Sequence, residues 1–180
     1  MTRAQALLPI STLLAFAASG ATQIARPDFA GRWTLQEATV SGGGRGDASG
    51  NASGGGGGRG GGTGLGSPAD ELTIHQSDSV LVVNESHAFA TTTIRYGLDG
   101  KSVRNAIPVG RGGTADANYS SRWRGDTLET LINRRIRAGS SSTGIRYQEV
   151  LYLLSDSVLV VETFVAGRAT GRKAMYRKAR

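Results

Sequence analysis

The chain has 180 residues, a formal net charge of +7 and no cysteine. This length suits a single domain, and the lack of cysteine excludes disulfides, thiolate chemistry and lipid attachment at a cysteine. The positive charge could attract anionic lipids, acidic glycans or nucleic acid, but we favour the simpler interpretation that it serves solubility.

Residues 1–21 have the layout of a secretory signal peptide. Arg3 supplies a positive charge, a mostly apolar stretch follows, and Ser19 and Ala21 stand at the −3 and −1 places of a cleavage site. An uncleaved membrane anchor is the alternative, but the apolar run is shorter than the ~20 residues that span a bilayer, and Pro9 dilutes it. We therefore predict an exported, secreted or periplasmic protein with no transmembrane segment after signal removal.

After the predicted signal peptide, the chain contains a predicted first strand, and a sharp change of composition follows it. Phe29, Trp33 and Leu35 alternate with polar residues, which is typical of a strand with one buried face. In residues 42–66, 15 of the 25 positions are Gly. Because glycine loses the most backbone entropy on ordering and almost nothing there could be buried, we predict a disordered Gly-rich loop. Residues 22–180 are then a single β domain that contains this loop.

After the Gly-rich segment the sequence is a series of short alternating runs rich in Val, Ile, Leu, Thr and Tyr. Together with the first strand they predict about ten strands. The connections are short and polar, and Asp99-Gly100 is a two-residue hairpin signal. Connections this short force successive strands to be antiparallel. The predicted fold class is all-β, an up-and-down antiparallel meander of about eight to ten strands that forms a lipocalin-like barrel or a strongly curled sheet.

The sequence SDSVLVV occurs twice, at residues 77–83 and 155–161. In both places it joins one predicted strand to the next. We interpret each copy as a hairpin tip, in which Ser and Asp side chains bond to the turn backbone and Val-Leu-Val-Val enters the sheet. The repeat thus indicates architecture and not a binding motif.

The residues that could carry chemistry are few. His75 is predicted on the polar face of a strand and His87 in a turn, and neither has an acidic residue at a metal-ligand spacing. We expect no metal, no cofactor, no catalytic residues and no enzymatic activity. A carboxyl group in a strand that pointed into the interior could have a raised pKa. The strand glutamates are Glu85, Glu129, Glu149 and Glu162.

Two segments carry a resemblance to known proteins. The stretch PDFAGRWTL places Gly-x-Trp at the start of the first strand, and the last strand, GRKAMYRK, is rich in Arg and Lys. Both resemble the lipocalin and wider calycin pattern. They are also similar to exported bacterial proteins of unassigned function that have a like first strand, a glycine-rich insert and a terminal YRK. The resemblance implies a barrel in which Trp33 plugs one end and Arg172 or Arg177 stacks on its ring.

Two functions are compatible with these patterns. Barrels of about eight strands can enclose a small ligand, so the leading hypothesis is an interior that binds a small apolar ligand. The candidate ligand-binding residues are Trp33, Leu35, Leu72, Ile74, Tyr147 and Leu151.

The alternative is a cell-envelope interaction module that binds polyanions through basic strands. Its candidate residues are Arg134, Arg135, Arg137, Arg172, Lys173, Arg177 and Lys178. Basic side chains that only protect exposed strands from aggregation are the simpler interpretation of the same residues. We do not expect a nucleic acid partner for an exported protein.

Overall fold

The computed structural model describes residues 26–41, 67–109, 113–138, 141–166 and 171–180. The described residues form ten strands: β1 (Gly31–Ser41), β2 (Glu71–Gln76), β3 (Val80–His87), β4 (Ala90–Gly97), β5 (Ser102–Val109), β6 (Gly113–Arg124), β7 (Thr127–Ala138), β8 (Ser141–Ser155), β9 (Val158–Val165) and β10 (Gly171–Lys178). The predicted signal peptide and Gly-rich loop lie outside the described residues. Within the described part of the chain, no helix is long and apolar enough to cross a membrane.

The strands form one sheet in the order β4-β3-β2-β1-β10-β9-β8-β7-β6-β5. Every paired neighbour is antiparallel, and all pairs except β1 with β10 join strands that are consecutive in the chain. Pairing of the first strand with the last curls the meander, so that its two edge strands, β4 and β5, come together. The predicted fold class, an all-β up-and-down meander curled into a barrel, is confirmed.

Asn105 bridges the seam between β4 and β5, where the described residues form no backbone ladder. Its Oδ1 accepts a hydrogen bond from the backbone N–H of Arg95 at 2.9 Å, and its Nδ2 donates to the Arg95 carbonyl at 2.9 Å. The buried amide thereby makes the two bonds that a neighbouring strand would make. These two bonds connect the edge strands β4 and β5, so the barrel is nearly closed.

In a meander, every second connection lies at the same end of the barrel. Residues 77–79, 98–101, 125–126 and 156–157 form one such set of tight turns, and we call this end the hairpin end. Both SDSVLVV copies start there, as predicted. The Ser77 hydroxyl accepts from the N–H of Val80 and donates to the Val80 carbonyl, at 3.2 and 3.1 Å.

Aromatic side chains fill the hairpin end. Trp33 is fully buried, and its indole Nε1 donates to the Phe29 carbonyl at 2.9 Å. The Phe29 ring stacks on Trp123 with 5.7 Å between ring centroids. Gln76 fixes the segment that precedes β1, because its Oε1 accepts a hydrogen bond from the N–H of Phe29 at 3.0 Å. This cluster, the Trp33 cluster, closes one end of the barrel.

The cation beside Trp33 is Lys178, whose Nζ lies 5.2 Å from the ring centroid. The expectation that Arg172 or Arg177 stacks on this ring is wrong. The β1–β10 register pairs Trp33 with Lys178 and places Arg177 opposite Thr34, on the other face of the sheet. Arg172 does face inward, but it lies six residues before Lys178, toward the opposite end of the barrel.

Candidate functional site

A cavity of about 140 Å³ lies inside the barrel, between the Trp33 cluster and the end opposite the hairpin end. Alternation along the strands supplies its wall, because every second side chain points inward. Four of the six predicted ligand-binding residues line it, namely Leu72, Ile74, Tyr147 and Leu151. The other two point into the barrel but do not line this cavity. Trp33 is part of the aromatic cluster at the hairpin end, and Leu35 packs against the core.

A row of polar side chains crosses the inner face of the sheet from β6 to β10. The register pairs Ser121 with Thr130, Thr130 with Glu149, Glu149 with Thr163, and Thr163 with Arg172. The first four of these residues are buried. Thr130 donates to the Ser121 hydroxyl at 3.0 Å, so these two satisfy each other. The remaining three residues line the cavity and give it a polar wall.

Glu149 is a buried acid in this polar wall. Burial is the largest influence and raises the pKa of Glu149 to about 7. The negative charge of Glu85 raises this pKa further, whereas a hydrogen bond from Tyr96 and the positive charge of Arg172 lower it. The expectation that a strand glutamate pointing inward could have a raised pKa is confirmed at this position. Glu149 is therefore about half protonated near neutral pH.

The hydroxyl that reaches Glu149 belongs to Tyr96, which donates to Oε1 at 2.8 Å. Burial and the nearby Glu149 charge raise the pKa of Tyr96 well above its ordinary value, so this phenol keeps its proton. The Tyr96 ring meets the Tyr119 ring edge-on, with 5.3 Å between centroids. The donor is thus fixed in place by packing on the far side of the cavity.

Glu85 and His87 enter the cavity from the end of β3. His87 Nε2 lies 3.9 Å from Glu85 Oε2, and this contact with the Glu85 carboxylate raises the pKa of His87. The prediction that His87 lies in a turn is wrong, because β3 continues to His87 and alternation turns its side chain inward. His75 is exposed on the outer face, as predicted. The described residues hold no group of three or more potential metal ligands from His, Cys, Asp and Glu.

Two polar atoms in the cavity wall have no hydrogen-bond partner among the described residues. They are Thr163 Oγ1 and Arg134 Nε, and both are buried. A buried polar group without a partner costs about 1–3 kcal/mol, and native proteins tolerate few of them. A polar group of a ligand that formed hydrogen bonds with these atoms would remove this cost.

The predicted polyanion-binding residues do not form one surface. Strand alternation turns three of them into the barrel: Arg134, Arg172 and Lys178. Three lie on the outer face: Arg135, Lys173 and Arg177. The backbone of Arg137 belongs to β7, and its side chain is outside the described ones. Because β8 and β9 separate β7 from β10, the basic residues of these strands are also apart laterally.

Comparison with known proteins identifies the fold. No protein-family model matches the chain, and no curated protein matches it. Among solved structures, it is similar to a REP1-NXSQ fatty acid transporter, with a TM-score of 0.52, 12% identity, and coverage of 84% of this chain and 96% of that one. This chain has the fold of that structure, an up-and-down antiparallel β-barrel. The barrel is also similar to the wild-type fluorescent protein UnaG, with a TM-score of 0.49, 15% identity, and coverage of 84% and 97%.

The cavity lining includes polar residues that sequence reasoning did not select as ligand-binding: Tyr96, Arg134, Glu149 and Thr163. One signal was available for Glu149. It lies two positions from both Tyr147 and Leu151, which were predicted to face the interior, so the same alternation places it there too.

Proposed function

We propose that this protein is a binding protein and not an enzyme, and that it holds a small ligand with an apolar body inside its barrel. The cavity carries this proposal, because it combines apolar side chains, such as Leu72 and Ile74, with a few polar groups. Such a combination is typical of small-molecule sites. The similar solved structure is described as a fatty acid transporter, which supports an apolar cargo for a barrel of this shape.

The cavity volume limits the size of the ligand. A dry cavity of roughly 150 Å³ accommodates benzene, and this cavity has about 140 Å³. Sites for drug-sized ligands span about 300–1,000 Å³. We therefore propose a compact ligand, comparable to one substituted aromatic ring, and not a long acyl chain in the present shape of the barrel.

The experiment is a benzene titration of the purified protein, followed by NMR. Wild type is expected to bind benzene, and Ala117→Leu is expected to raise the Kd at least about tenfold, because a larger side chain at this buried lining position fills the cavity. Ala106→Leu, on the exposed face of β5, is the matched control and should bind like wild type. The proposal fails if wild type does not bind benzene, or if Ala117→Leu binds it equally well while folded by circular dichroism.

We also propose that the protein acts outside the cytoplasm, which the signal-like pattern of residues 1–21 supports. Intact-mass measurement on the protein from expressing cells tests this. A chain that begins at Thr22 in the exported fraction is expected. A chain that retains Met1 and stays in the cytoplasmic fraction would contradict it.

A further inference from the structure

Glu149 and Thr163 form a pair in the cavity wall. They are directly opposite each other on β8 and β9, they are 8% and 6% exposed, and both line the cavity. Tyr96 donates to Oε1 of Glu149. The described residues offer Thr163 Oγ1 no hydrogen-bond partner. Since a buried hydroxyl without a partner is rare in native proteins, the pair points to a group that the cavity receives from outside.

Building on the proposed binding function, we propose that Glu149 and Thr163 bind an acceptor oxygen of the ligand, a carbonyl or a carboxylate, and that Glu149 does so in its protonated form. The carboxyl group donates through Oε2 while Oε1 keeps the bond from Tyr96, and Thr163 donates through Oγ1. One carbonyl oxygen has two lone pairs and can accept both bonds. The ligand is then a compact apolar body that carries one such oxygen.

Arg134 adds a third donor beside Glu149 and Thr163, and we call the site formed by these three residues the polar subsite. It lies on β7, next to β8, and its buried Nε lines the same cavity without a described partner. An Arg side chain can only donate, so it too favours an acceptor on the ligand. An ammonium group on the ligand would instead face a fixed positive charge here.

Other titratable groups surround Glu149 in the cavity. They are Glu85 and His87 on β3, Tyr96 on β4, Tyr119 on β6, Arg134 on β7, Tyr147 on β8, and Arg172 and Tyr176 on β10. Burial raises the pKa of Tyr96, Tyr119 and Tyr176, so these phenols stay neutral. Among the remaining groups, the pKa of Glu149 is raised to about 7, and the pKa of His87 is raised by its contact with Glu85. The test must separate these two.

The experiment uses three probes of similar size, benzene, benzamide and benzoate, titrated calorimetrically into the protein from about pH 5 to about pH 9. Benzene has no acceptor oxygen, so its Kd is expected to be independent of pH. The Kd of benzamide and of benzoate is expected to rise, by up to about tenfold per pH unit above about pH 7, because binding requires the proton on Glu149. Titration in two buffers of different ionisation enthalpy should show uptake of a proton above that pH.

Four variants assign the effect, and one of them, His87→Gln, removes the other titratable group with a raised pKa. Glu149→Gln keeps a donor without a titratable proton, so benzamide should bind with a pH-independent Kd near the low-pH value of wild type. Glu162→Gln, on the outer face of β9, is the matched control and should keep the wild-type pH profile. Thr163→Val should raise the Kd of benzamide about tenfold without changing that of benzene, because one hydrogen bond is lost.

The outcomes separate the two proposals. If benzene binds but the Kd of benzamide is independent of pH, or its pH dependence persists in Glu149→Gln, the polar subsite is overturned and the binding function stands. A pH dependence that disappears in His87→Gln and persists in Glu149→Gln assigns it to His87 and also overturns the subsite. If none of the three probes binds at any pH, both proposals fail.

Discussion

The hydroxyl of Tyr96 on β4 donates a hydrogen bond of 2.8 Å to Oε1 of Glu149 on β8. These strands are not neighbours in the sheet, so the bond crosses the interior of the barrel. It joins a phenol that stays protonated to an acid whose pKa burial raises to about 7. The protonation of one buried group is therefore linked both to the stability of the barrel and to the polarity of its cavity.

Stability should depend on pH through Glu149. Its pKa is about 7 in the folded protein, against an ordinary value of 4.5, so between these values the native state binds more protons than the unfolded chain. The free energy of unfolding should fall by about 3 kcal/mol from this group as the pH rises through that window. The raised pKa of His87 acts in the same direction. Urea denaturation at several pH values measures the effect.

Glu149→Gln removes this contribution. The variant should equal wild type in stability at acidic pH, where the carboxyl group is protonated in both states. It should then exceed wild type by an increasing margin toward alkaline pH. Equal pH slopes for Glu149→Gln and wild type would show that the pKa of Glu149 is the same in the folded and unfolded states and would contradict its raised pKa.

Asn105 should stabilise the seam between β4 and β5. Asn105→Ala removes two hydrogen bonds and leaves the N–H and C=O of Arg95 without these partners. We expect a loss of about 1–3 kcal/mol in the free energy of unfolding and faster hydrogen exchange of the Arg95 amide. Asn84→Ala is the control, because Asn84 bonds to Thr93 at an exposed site and should cost about 0.5 kcal/mol or less. An unchanged exchange rate at Arg95 would argue against the bridge.

The two tryptophans should differ in their response to the same substitution. Trp33→Phe removes the indole donor to the Phe29 carbonyl and should lower the free energy of unfolding by about 1–3 kcal/mol. Trp123→Phe should cost less, because the Trp123 Nε1 has no hydrogen-bond partner among the described residues and a phenyl ring can still stack on Phe29. Thermal denaturation compares the two. A larger loss for Trp123→Phe would contradict the role given to the Trp33 bond.

The strand pattern was predictable because alternation is a local property. Leu72 and Ile74 face inward as their spacing indicated, and both repeated hairpins turn at their Ser-Asp-Ser segments. The end of β3 was missed, because the polar residues before His87 are typical of a turn even though they continue the strand. Here pairing with β4 outweighs local propensity.

Long-range features of the site could not be predicted in the same way. That Lys178 and not an arginine meets Trp33 depends on the register between the first and last strands, which is set by closure of the whole sheet. The volume of the cavity depends on what side chains from many strands leave unfilled. The contact of Glu149 with Tyr96 likewise requires the curvature of the barrel, since it joins strands that are far apart in the sheet.

The location of a bound probe tests the interior binding site most directly. Intermolecular NOEs between benzene protons and the methyl groups of the protein report which side chains surround the ring. We predict NOEs to Leu72, Ile74 and Leu151, which line the cavity. NOEs confined to Leu131 and Leu154, which are exposed to solvent, would place the ring on the outer surface and contradict an interior binding site.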